Sequence, residues 1–141
     1  DFGAFGQLTQ LVHVDPTPAE LARREAPRVT AWVDLVEDLS GIEPAQGDWI
    51  SRDAIPESLT ALLTEVGRVY VPVMLANAQA LMEKASEVRT QVDGETWVQQ
   101  PFAYQGKCLQ WLRAEYAALS AVDRARVGEI LGGTGCERLL S

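Results

Sequence analysis

The sequence predicts a mostly α-helical domain, a helical bundle with one short β-hairpin near residues 87–100. Three observations carry this. Apolar residues recur three and four positions apart through most of the chain, which is the period of one helix face. Prolines stand where a first helical turn tolerates them, just ahead of apolar periods. A single stretch, "EVRTQVDGETWVQQ", changes to alternation about Asp93-Gly94.

Phe2, Phe5, Leu8 and Val12 trace the first helix, which should end near Val14, because the residue before Pro16 avoids the α region. Thr17, Pro18 and Glu20 read as N-cap, N1 and N3 of a second, short helix running to about Ala26. Pro27 opens a third, with Val29, Trp32, Val33, Val36 and Leu39 as its stripe and Gly41 as its stop. Residues 42–55 have no period and read as a loop pinned by Trp49 and Ile50.

From Pro56 a long helical pattern resumes through Leu59, Leu62, Leu63, Val66, Val69 and Val73. Pro72 should kink or break it, since an interior proline costs about 3 kcal/mol or more. The Ala-rich "LANAQALMEKA" beyond it suits close helix packing, with Met74 and Met82 as core. Asp-Gly between alternating runs then marks a type I′ hairpin, because that turn needs φ > 0 at both central residues. After Pro101, Leu109, Leu112, Tyr116 and Leu119 make the stripe of the next helix, flanked by Tyr104, Cys108 and Trp111. Ser120 to Asp123 looks like the cap of a last helix through Val127, Ile130 and Leu131, ended by Gly132-Gly133.

With 141 residues, 47% hydrophobic and 23% charged, the composition is that of one globular domain spanning residues 1–141. The net charge of −8, with no basic cluster free of acidic residues, argues against nucleic acid and against an anionic membrane surface. No apolar run approaches the roughly 18 residues of a membrane span. Cys108 and Cys136 lack metal or redox spacing and read as reduced thiols of a cytoplasmic protein. A single histidine, His13, is too few for a Cys/His metal site, and no Ser/His/Asp arrangement is readable around it.

The opening stretch "DFGAFGQLTQL" resembles the sixth helix of the glutathione transferase C-terminal domain, where an Asp closes a capping box begun by an upstream Ser or Thr. "EAPRVTAWVDLVEDLSG" resembles that family's next helix. Asp1 matches the capping-box aspartate, and Pro27 and Trp32 match the Pro and Trp that follow. The resemblance covers about residues 1–41, and the remainder looks like the longer helical arm of some bacterial transferase-like proteins. It implies the family's all-helical C-terminal fold, a preceding thioredoxin-like domain as partner, glutathione as the parent protein's ligand, and a homodimer. The chain opens on a helical pattern with neither Met nor a polar lead-in, so it is expected to be the C-terminal part of a longer protein.

In that family glutathione and the residue that activates its thiol belong to the thioredoxin-like half. No catalytic, cofactor-binding or metal residue is therefore assigned in residues 1–141, and this chain alone is expected to be inactive. Its expected part is the hydrophobic-substrate side of the site. Trp97, Tyr104, Gln105 and Lys107 gather amphipathic rings, an amide and a cation near the hairpin, a set suited to a ligand pocket and equally to core rings with satisfied polar ends. A helical domain that serves protein interaction or oligomerisation is the alternative.

Overall fold

The computed structural model describes residues 2–39, 41, 43 and 50–141. Asp1 and Trp49 lie outside them, and with them the capping-box match and the expected Trp49 anchor. The fold is mostly helical with a two-stranded antiparallel hairpin. Its residues gather into two compact units, Asp1–Trp49 and Ile50–Ser141.

In the first unit, α1 (Phe2–Thr9) widens into a π-helical turn, Gln10–Val14, closed by the bond from Asp15 N to Gln10 O at 3.1 Å. Asp15 is extended and caps α2 (Pro16–Glu25), its carboxylate accepting from Thr17 N at 3.2 Å. The helix thus starts two residues earlier than a Thr17 cap would allow. Pro16 and Pro18 both sit in the first turn, where a helix has no internal acceptor for N–H groups, so two otherwise orphaned donors do not exist. Pro27 opens α3 (Pro27–Glu37) as expected.

Among the described residues of this unit, Val12, Ala19 and Val33 are the buried apolar ones. Val33 is at the centre of the α3 stripe, between half-buried Val29 and Val36. Trp32 stands at the stripe's edge and is only half-buried, and Leu39 is exposed. His13 is exposed at the end of the π-helical turn, its Nε2 3.2 Å from Asp34 Oδ1.

In the second unit, α4 (Glu57–Glu65) runs through a π-helical turn, Val66–Tyr70, into α5 (Val71–Glu83). Pro72 does not break this helix. The wide turn directly before it shifts the bonding from i−4 to i−5, Val71 N donating to Val66 O, which accommodates the proline ring. The result is one continuous helix of 27 residues with mean hydropathy 1.4 over its most apolar stretch. By length and composition alone it is sufficient to cross a membrane, which the expected break at Pro72 had concealed.

The hairpin follows as expected: β1 (Val88–Val92) pairs with β2 (Glu95–Gln99), Val88 opposite Gln99 and Thr90 opposite Trp97. Asp93 and Gly94 have φ of +55° and +82°, the left-handed pair a type I′ turn requires. Then come α6 (Ala103–Ala118) and α7 (Ala121–Leu131), the latter capped by Ser120 Oγ accepting from Asp123 N at 3.1 Å. A 3₁₀ segment, Cys136–Leu140, ends the chain.

Val71, Met74, Leu109, Cys136 and Leu139 form the core, with Leu63, Val66, Leu75, Ala78 and Leu131 packed on it. Met82, expected inside, is 72% exposed. Gly67 permits the closest approach: a Cβ there would run into the Thr134 carbonyl. Cys136 Sγ is 3.1 Å from Leu63 O, so this thiol is a buried structural group.

Candidate functional site

The alternation of β1 and β2 sorts the hairpin into two faces. Val88, Thr90, Val92, Trp97 and Gln99 share the face with buried or half-buried positions, while Arg89, Gln91, Thr96 and Val98 are exposed. The first face, with the end of the π-helical turn and the start of α5, encloses a groove of about 280 Å³. Its walls are Val69, Tyr70, Val73, Val92 and Trp97, and Gln99 and Gln105 add polar groups.

Those polar groups are joined. Trp97 Nε1 donates to Gln99 Oε1 at 3.1 Å, and Gln99 Nε2 donates to Gln105 Oε1 at 3.5 Å. Trp97 is still 47% exposed, so its ring forms a rim of the groove. Burial, and secondarily an electrostatic contribution from Cys108, raises the Tyr70 phenol above its ordinary value of 10.0, so it is neutral at physiological pH.

Arg68 holds the two edges of this arrangement. Its Nη2 is 2.6 Å from Glu65 Oε2, and its Nη1 pairs with Asp93 Oδ1 in the hairpin turn. One guanidinium therefore ties the π-helical turn to the β-turn. Its hydrogen bond, and then its charge, holds the Glu65 carboxyl below the usual 4.5.

Of the four residues singled out in the sequence, Trp97 and Gln105 meet in the groove. Tyr104 and Lys107 do not line it, because residues one and two apart on a helix point to different faces. Tyr104 instead joins an exposed aromatic row on α6. Its ring is 6.3 Å from Phe102 and 6.2 Å from Trp111, the second pair nearly perpendicular at 85°. Lys107 is exposed. Tyr70, Val73 and Gln99 were missed; only Gln99 carried a signal, its register on the Trp97 face.

A larger depression, about 670 Å³, runs along α2, but that one helix supplies every residue lining it. Among the described residues no second element lines it, so it is an open surface depression. Among the described residues no group of three His, Cys, Asp or Glu side chains is arranged to hold a metal ion. Comparisons with family models, with curated proteins and with solved structures give no match.

Proposed function

We propose that this chain is the C-terminal helical portion of a glutathione-transferase-like protein and supplies the hydrophobic-substrate side of its site. A thioredoxin-like domain outside these residues completes that site and binds glutathione. The observation that carries the reading is the groove under Trp97, an apolar recess with a short run of amide groups. That is the composition of a small-ligand wall. The match of Pro27 and Trp32 to the family pattern supports it from the other unit.

In this reading the chain does no chemistry on the thiol. Its residues bind and orient an apolar electrophile and exclude water from it. The test joins the chain to the coding region that precedes it and assays glutathione conjugation of chlorodinitrobenzene. Activity in the longer protein, with none in the 141-residue chain, is the expected result. Turnover by the chain alone, above a heat-killed control, contradicts it.

The exposed row of Phe102, Tyr104 and Trp111 favours the second reading, a protein-interaction or oligomerisation domain. Aromatic side chains are enriched at the cores of such interfaces. Because the transferase reading itself implies a homodimer, conjugation rather than sedimentation separates the two. A longer form that conjugates glutathione fits the first reading, and a self-associating chain whose longer form does not conjugate fits the second.

A further inference from the structure

We infer that the groove under Trp97 takes a small neutral ligand with a flat apolar body and one hydrogen-bond acceptor, held by the Gln105 amide. This rests on the proposed reading of the groove as the substrate-facing side and adds the chemistry of the substrate.

The hydrogen bonds in the groove run in one direction. Trp97 donates to the Gln99 amide oxygen, and Gln99 donates to the Gln105 amide oxygen. The run ends on Gln105 Nε2, which has two N–H donors and no acceptor among the described residues. Gln105 is half-buried and lines an apolar recess, so a ligand that brings an acceptor gives this amide N–H a protein-held partner in place of water. A ligand that brings only donors would find that end of the run closed.

The charge of the ligand follows from the walls. No carboxylate, ammonium or guanidinium lines the groove, and its one titratable group, Tyr70, stays neutral. An ion entering would give up hydration with no counter-charge in return. Shape follows from the indole and phenol rings, against which a planar ring packs edge-on or offset. A volume of about 280 Å³ sets the size near the low end of small-ligand sites. Aromatic ketones, aldehydes and quinones meet all of these requirements.

Acetophenone is the probe, compared with α-methylstyrene, which replaces its carbonyl oxygen by a methylene, and with benzoate. Titration of the ¹⁵N-labelled chain should move the Trp97 indole and Gln105 side-chain amide signals saturably. Acetophenone should bind about three- to tenfold more tightly than α-methylstyrene, the range expected for one hydrogen bond, and benzoate more weakly than either. Gln105→Leu should erase the preference for the ketone over the hydrocarbon. Gln105→Glu, which keeps the length and has no N–H at neutral pH, should do the same if the leucine variant fails to fold. Equal affinity for ketone and hydrocarbon in the native chain, or shifts confined to other residues, would overturn the inference. Ketone preference in a chain whose longer form never conjugates glutathione keeps this inference and removes the transferase reading. Conjugation without ketone preference does the reverse.

Discussion

The side chain of Asn77, fully buried in α5, grips the backbone of Phe102 with both ends of its amide. Nδ2 donates to Phe102 O at 3.0 Å, and Oδ1 accepts from Phe102 N at 2.8 Å. Phe102 is the N-cap of α6 and has no side-chain cap of its own. A residue from another helix thus sets where α6 begins, and with it the position of Gln105 one turn on.

Asn77→Leu should therefore cost more than its volume change suggests. It leaves a backbone donor and an acceptor of Phe102 without that partner, a loss of roughly 1–3 kcal/mol. Asn77→Asp should behave differently with pH. The buried carboxyl is held neutral in the fold, so its folded pKa lies above its unfolded one. Stability should then fall as pH rises above about 4, the ordinary carboxylate value. Urea denaturation of both variants at several pH values checks this; a pH-independent Asp variant would contradict the buried placement.

Two glycines should respond in opposite directions. Gly67→Ala drives a methyl group into the Thr134 carbonyl, a backbone atom that cannot step aside. Overpacking of this kind costs about 1–3 kcal/mol. Gly128 lies inside α7 with open space where a Cβ would go, so Gly128→Ala should stabilise by about 0.5–1 kcal/mol through helix propensity. Thermal unfolding of the pair reads both signs at once.

The β-turn offers a third check. Gly94→Val places a β-branched residue at a φ of +82°, and the strain should cost roughly 1–3 kcal/mol. Loss of the cross-strand backbone contacts between Thr90 and Trp97 in nuclear Overhauser spectra should accompany it. An unchanged melting temperature would contradict the turn geometry.

The Arg68–Glu65 pair gives the acid dependence. Because the Glu65 pKa is lower in the fold than its ordinary 4.5, the contribution of the pair is present above that value. It is lost as pH falls through the lower, folded value. Glu65→Gln should thus be less stable than the native chain at neutral pH and equal to it in strong acid. Denaturation midpoints of the two proteins across acid pH measure the convergence.

Much of this fold was legible where local chemistry admits one solution. Asp93-Gly94 between alternating runs permits little besides a hairpin, and Ser120 with Asp123 caps a helix wherever apolar periodicity follows. Asp15 and Thr17 show the limit. Both are capping residues followed by proline, and only the whole first turn decides between them. Pro72 shows another: a π-helical turn can absorb a proline, and nothing at Pro72 itself announces one. Trp32 matched the apolar stripe by spacing, yet Val33 occupies its centre, so Trp32→Ala should cost well below the ~3–5 kcal/mol of a fully buried Trp.

The lining of the groove was half legible. Trp97 and Gln105, gathered through the company they keep in sequence, line the groove, whereas Tyr104 and Lys107, gathered by the same reasoning, are turned by the helix to other faces. Asn77 gave no sign, because an asparagine in an Ala-rich helix does not reveal that its partner is the backbone of Phe102 across the hairpin.

The kinetic constants of the proposed longer protein with Trp97→Ala test the central claim most directly. If this chain supplies the electrophile side, KM for chlorodinitrobenzene should rise and kcat/KM for it should fall, while KM for glutathione stays unchanged. Unchanged constants for the electrophile, or an equal loss for both substrates, would contradict the account.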